Sequence, residues 1–184
     1  AYGVPSQLEL ELEGIFEHLL LPRVRGGGKG SKKRYAGWQN GKLVVVGLDH
    51  LEAFSLDVSP AFAIVVGPEV VGSFGSKQYR VRVHEELARA ILNGCLKRDF
   101  DIAFCHKAFM GHAFVVPFEY VLEKRQIPIV PLFVNVYVPP LPQPHRAYQL
   151  GRAIAEIVAE RGERIAILAS GGMSHYPGTE KYGD

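Results

Sequence analysis

Short runs of apolar residues alternate along the chain with segments in which apolar residues recur at helical spacing, and this alternation constrains the fold more than any other feature. Consecutive apolar residues predict buried strands, whereas recurrence at every third or fourth residue predicts an amphipathic helix. The predicted strands are 43–46, 62–66, 102–105, 127–134 and 165–168, and the predicted helices are 8–21, 85–96, 114–124 and 148–161. We therefore expect an α/β fold, a single domain with a layered, largely parallel or mixed sheet that is flanked by helices.

The size and charge of the chain argue against several classes of protein. Its 184 residues suit one domain, and its formal net charge of +2 is too small to indicate nucleic acid or a membrane surface as a partner. No apolar run approaches the roughly 18 residues of a membrane-spanning helix. Cys95 and Cys105 lie in apolar patterns without CxxC spacing, so we expect buried, reduced thiols and a cytoplasmic location.

The segment 23–40 departs from the α/β pattern. It combines closely spaced glycines with a basic cluster, namely Gly26, Gly27, Gly28, Gly30, Lys29, Lys32, Lys33 and Arg34. A phosphate-binding loop needs Lys followed by Ser or Thr between a strand and a helix, but here Lys29 precedes Gly30 and the segment follows a predicted helix. We predict a mobile Gly/Lys-rich loop over 23–40. A nucleic-acid-binding role for the basic cluster is the alternative, which the small net charge opposes.

Two histidines follow predicted strands, at the end of the sheet where α/β proteins collect their ligands. His50 comes after the strand at 43–46, and a neutral imidazole there is a good iron or zinc ligand. Its position alone leaves open whether it instead caps a loop by hydrogen bonding. Asp49 and Glu52 are carboxylates close enough in sequence to orient a ligand. His175 ends a Gly-Gly-Met-Ser-His turn after the last strand, where paired glycines allow a close approach.

A third histidine, His112, stands in a turn that leads into the helix predicted at 114–124, which we expect the chain to enter through Pro117. The N-terminal end of a helix suits a neutral imidazole that exchanges protons. The chain has no Ser-His-Asp arrangement, GxSxG motif or HExxH motif. From the residues alone, the prediction is an α/β domain with a histidine-lined cleft.

Five segments, taken together and in order, resemble the class III extradiol ring-cleavage dioxygenases. They are Asp49-His50 with Phe54, Asp57, Pro60, Phe62 and Ala63-Ile64; Gly111-His112-Ala113-Phe114 with Pro117; 131–142; 150–154; and Ser170-Gly171-Gly172-Met173-Ser174-His175. The resemblance covers roughly residues 43 to 178. It lies between the protocatechuate 4,5-dioxygenase β-subunit and the 2,3-dihydroxyphenylpropionate dioxygenase types.

The resemblance implies an enzyme that uses Fe(II) and dioxygen to open the ring of a catechol-type aromatic compound, in aromatic catabolism. It implies that His50 is a metal ligand and that His112 and His175 are the catalytic acid–base pair. It also implies a homo-oligomer, or a hetero-oligomer with a small subunit. The small net charge leads us to expect no nucleic-acid or membrane partner. The alternative is a metal-free or non-catalytic paralogue of the same fold that acts as a binding protein.

The chain departs from the family pattern at three places. The first ligand histidine of the family is expected just upstream of Ala1, and the ligand glutamate is expected well past His175, beyond Asp184. Gly111 stands directly before His112, where the family commonly has aspartate. We therefore expect residues 1–184 to be a single catalytic domain that lacks native N- and C-terminal parts.

Overall fold

The computed structural model describes residues 41–120 and 127–171. The strands in these residues are β1 (Lys42–Asp49), β2 (Phe62–Val65), β3 (Glu69–Phe74), β4 (Lys77–Arg82), β5 (Ala103–Cys105), β6 (Phe109–Met110), β7 (Ile129–Asn135) and β8 (Ile165–Ser170). The helices are α1 (Glu85–Leu96), α2 (His112–Tyr120) and α3 (Pro144–Arg161). The helix predicted at 8–21 and the loop predicted at 23–40 lie outside the described residues.

The larger sheet contains all of the predicted strands, in the order β5-β2-β7-β1-β8. β1 runs parallel to both β7 and β8, β2 runs parallel to β5, and only the β2–β7 pair is antiparallel. β1 and β7 are central strands with long runs of buried residues, which accounts for their continuous apolar sequences. The predicted α/β class with a mixed, layered sheet is therefore confirmed.

A second sheet of three strands, in the order β4-β3-β6, was not predicted. β3 and β4 form a hairpin whose two-residue loop begins at Gly75, with a φ of 58° that glycine adopts without a steric penalty. The residues of β4 are mostly exposed or half-buried, in the sequence Lys-Gln-Tyr-Arg-Val-Arg. The strand therefore lacks the apolar run by which the other strands were recognised.

The helix boundaries follow from capping. α1 begins as predicted, because the His84 side chain accepts a hydrogen bond from the Leu87 backbone N–H at 3.3 Å. α3 begins at Pro144, earlier than the predicted 148, because proline is well suited to the first helical position. It ends at Arg161, and Gly162 caps it in a left-handed conformation.

The prediction for α2 was wrong at its start. The helix begins at His112, and Pro117 lies inside it. The carbonyl of Gly111 accepts the first helical hydrogen bonds, from Phe114 and Val115, so the helix is established before the proline. Residues 121–126 lie outside the described part of the chain.

Both cysteines are free thiols, as expected. Cys95 is buried in α1, and Cys105 is partly buried in β5. Burial raises the pKa of both thiols above the usual range, which keeps them protonated. They are packing residues, and neither contributes to a metal-ligand group among the described residues.

Helix α2 is held on the central strand β1 by an aromatic ring that lies on a glycine. The Phe114 side chain is fully buried, and it occupies the space next to Gly47 where another residue would carry its Cβ. The ring also packs against Phe133 of β7, with ring centroids 4.4 Å apart. This contact fixes the N-terminal end of α2 over the central strands.

Gly47→Ala should therefore destabilise the protein. The new Cβ would lie closer than 3.0 Å to three atoms of the Phe114 ring, and overpacking of this kind costs about 1–3 kcal/mol. Gly151→Ala is the control, because a Cβ on this exposed position of α3 meets no atom within 4 Å. Urea denaturation should show a loss of stability for Gly47→Ala and none for Gly151→Ala; equal effects would contradict the packing account.

Candidate active site

The candidate site lies where β1 and β7 end side by side. The two strands are parallel, and Asp49 at the end of β1 is paired in register with Asn135 at the end of β7. Both side chains are buried, although they are polar. Buried polar side chains need hydrogen-bond partners, and both find them in the loop that leaves their own strand.

Asp49 shapes the turn that carries His50. Its Oδ1 atom accepts hydrogen bonds from the backbone N–H groups of Glu52, at 3.3 Å, and Ala53, at 3.0 Å. Leu51, between the histidine and the glutamate, adopts a left-handed conformation with a φ of 64°, which is uncommon for a residue with a side chain. Asp49 therefore orients the backbone on both sides of a strained residue.

Asn135 shapes the loop after β7 in the same way. Its Oδ1 atom accepts hydrogen bonds from the N–H groups of Tyr137 and Val138, both at 3.0 Å, and its Nδ2 atom donates one to the Val138 carbonyl at 2.7 Å. The folded loop brings the ring of Tyr137 to 6.1 Å from that of His50, between centroids. Tyr137 is largely exposed and borders the site.

His112 reaches the same place from α2. It is the first residue of the helix, and its ring lies 4.5 Å from the ring of His50, between centroids, at an interplanar angle of 37°. Its Nδ1 atom is 3.0 Å from Oε2 of Glu52. The half-exposed His112 and the partly buried His50 thus face each other at the surface edge of the sheet.

His50, Glu52 and His112 form a group whose potential ligand atoms all lie within 4.8 Å of one another. Imidazole nitrogens and carboxylate oxygens are donors that suit Fe(II) and similar divalent metals. His50, directly after the central strand β1, can supply one such ligand to a metal cofactor at this place. The structure brings two of the predicted site residues, His50 and His112, together. The third, His175, lies outside the described residues.

The sequence did not indicate two features of this site. Glu52 was predicted, with Asp49, as a carboxylate that could orient a ligand near His50, but its contact with His112 joins residues 60 positions apart. Tyr137 lies within a recognised segment, but no pattern in the sequence distinguished it from other loop residues. Of the other histidines, His84 caps α1 and does not join the cluster.

Comparison with known proteins identifies the family. A family model described as the catalytic LigB subunit of aromatic ring-opening dioxygenase matches residues 30–184. The chain belongs to this family. The resemblance seen in the five ordered segments is thereby confirmed.

Relatives of this LigB-family chain include bacterial enzymes of known name. It is 33% identical, over 159 residues, to the 2,3-dihydroxyphenylpropionate/2,3-dihydroxicinnamic acid 1,2-dioxygenase of Escherichia coli strain K12 / DH10B and to that of Escherichia coli O157:H7. The match covers 86% of the present chain and 51% of each relative. The chain thus spans about half the length of the curated relatives it matches.

Among its described helices, none has the length and apolar character needed to cross a membrane.

The role of Asp49 in the turn can be tested by substitution. Asp49→Ala removes the acceptor of two backbone N–H groups and should cost about 1–3 kcal/mol of stability. Asp49→Asn keeps an acceptor oxygen at the same place and should cost less. Asp57→Ala, an exposed residue of the following loop, is the control. If Asp49→Ala were no less stable in urea than Asp57→Ala, the turn would not depend on this side chain.

Proposed function

We propose that the protein containing this chain cleaves the ring of a catechol-type aromatic compound with dioxygen, using Fe(II), and acts in aromatic catabolism. The observation that carries the proposal is the convergence of His50 and His112, whose rings lie 4.5 Å apart at the carboxyl edge of the sheet. Because the chain belongs to a family of ring-opening dioxygenases, we connect this pair of imidazoles with ring-opening chemistry.

The substrate class follows from the relatives. The names of the Escherichia coli relatives specify 2,3-dihydroxyphenylpropionate, a catechol with a carboxylate side chain. We propose a substrate of this kind, with the cleaved ring bond next to the hydroxyl pair. The site supports entry of a planar ring, since His112 and Tyr137 are both exposed beside His50.

Assembly with copies of itself or with a small subunit stays a prediction, as does the cytoplasmic location.

His50 is the proposed metal ligand in this part of the chain. It leaves the central strand β1 within a turn that the Asp49 side chain holds in place, and a ligand needs such fixed geometry. A bound Fe(II) would bring the catechol and dioxygen together and mediate electron transfer between them.

His112 and His175 are the proposed acid–base pair. His112 has Nδ1 next to Glu52, which leaves Nε2 as the atom that exchanges a proton with the substrate. His175 follows β8, whose last residue, Ser170, is paired with Gly47 of β1. The chain therefore leaves β8 at the same edge of the sheet as His50. The proposed task of His175 is to take a proton from a substrate hydroxyl, and that of His112 is to donate one during ring opening.

Three substitutions separate these roles. His50→Ala should abolish iron retention, measured as metal per chain, and with it dioxygen uptake. His112→Gln and His175→Gln should retain iron and lose turnover by about 10²–10⁴, the usual contribution of a positioned acid or base. His145→Gln, on an exposed position of α3, is the control and should match the wild type.

Two results would contradict the proposal. Unchanged iron content in His50→Ala would show that His50 is a loop residue only. A full-length wild-type protein that binds catechols but neither retains iron nor consumes dioxygen would favour the alternative function, a non-catalytic binding protein.

A further inference from the structure

The position of Glu52 is fixed by its backbone turn, independently of the contacts that its side chain makes. Its backbone N–H donates to Asp49, and the left-handed Leu51 precedes it. The Glu52 carboxylate therefore extends from a constrained turn and not from a freely moving loop. Its side chain is about one-third exposed, so neighbouring groups screen it partly from water.

Both carboxylate oxygens of Glu52 face His112. Oε2 is 3.0 Å from Nδ1 of the imidazole, and Oε1 is 3.4 Å from the backbone N–H at the start of α2. A negative charge at a helix N-terminus is favourable, because the first N–H groups of a helix have no partner within it. The two contacts therefore support each other and direct the carboxylate toward a single residue.

Gly111 makes this arrangement sterically possible. A Cβ at position 111 would lie well inside 3.0 Å of the Glu52 carboxylate. The φ of Gly111 lies outside the left-handed region, so the backbone itself would accept other residues. The missing side chain is therefore needed for the space that Glu52 occupies.

The same geometry bears on whether Glu52 is a metal ligand. Its oxygens lie within 4.8 Å of the ligand atoms of His50 and His112, which alone would suit a metal. However, each oxygen already lies next to a nitrogen of His112. A carboxylate engaged in this way orients an imidazole and does not need to bind the ion itself.

We propose that Glu52 is the positioning residue of His112: it accepts a hydrogen bond from Nδ1–H, fixes the orientation and tautomer of the ring, and presents Nε2 to the substrate. This inference rests on the proposed function for its catalytic consequence, but the contact itself does not. Glu52 can orient His112 in this way without contacting the substrate or the metal.

A tautomer measurement tests the contact without any turnover. In metal-free, full-length protein with ¹⁵N-labelled histidine, the His112 signals are assigned by their loss in His112→Gln. At a pH at which the ring is neutral, the wild type should show the proton on Nδ1. Glu52→Ala should lose this preference. Glu52→Gln, which keeps one acceptor oxygen for two N–H groups of His112, should retain it only in part. An unchanged tautomer in Glu52→Ala would overturn the proposal.

Kinetics and metal content test the consequence. Glu52→Ala should lower kcat by about 10–100-fold, the usual cost of removing an orienting partner, with KM and iron content unchanged. Glu52→Gln should recover part of that loss, and Asp57→Ala, the exposed carboxylate control, should lose nothing. Loss of iron in Glu52→Ala would overturn the proposal, because Glu52 would then be a ligand.

A double-mutant cycle tests the steric argument. Gly111→Ala alone should lower kcat by a similar 10–100-fold, because the added Cβ displaces Glu52 from His112. In the Glu52→Ala background, the same substitution should cause no further loss. An equal loss in both backgrounds would overturn the proposal. A wild type without ring-opening activity would contradict the proposed function instead, and the tautomer measurement would still decide the contact.

Discussion

The position of the candidate site depends on one packing contact, the ring of Phe114 lying on the bare backbone of Gly47. Gly47 is near the end of the central strand β1, and Phe114 is in the first turn of α2. The contact sets the distance between the element that carries His50 and the element that carries His112. Because the ring is fully buried and also packs on Phe133, the two histidines are brought together by the core and not by the loops alone.

Two buried polar side chains then fix the loops that surround the two histidines. Asp49 and Asn135 end neighbouring parallel strands, and each binds the backbone of the loop that follows it. A buried carboxylate and a buried amide are costly unless they are paired, so their partners define the loop conformations. As a result, His50 and Tyr137 are placed at this edge of the sheet by two side chains that are themselves buried. Rigid support of this kind is what a catalytic site needs.

Much of this arrangement was predictable from the sequence. The features that were not predictable have physical causes that leave no pattern in the sequence. The apolar runs at β1 and β7 and the periodicity of α1 indicated the fold directly, since buried central strands need continuous apolar residues. His50 and His112 were recognisable because strand ends and helix starts are the places where sites form, and because their segments resembled a family. The β3–β4 hairpin was missed because β4 is mostly solvated. The contact of Glu52 with His112 was missed because pairing between distant segments leaves no local pattern.

The proposed reaction inserts both atoms of dioxygen into a catechol ring. The most direct test supplies the iron-loaded, full-length protein with 2,3-dihydroxyphenylpropionate under ¹⁸O₂ and analyses the product by mass spectrometry after rapid quenching, before oxygen exchanges with water. The account predicts a ring-opened product that carries two labelled oxygen atoms. A ring-opened product with one labelled atom or none, or recovery of the intact catechol, would contradict it.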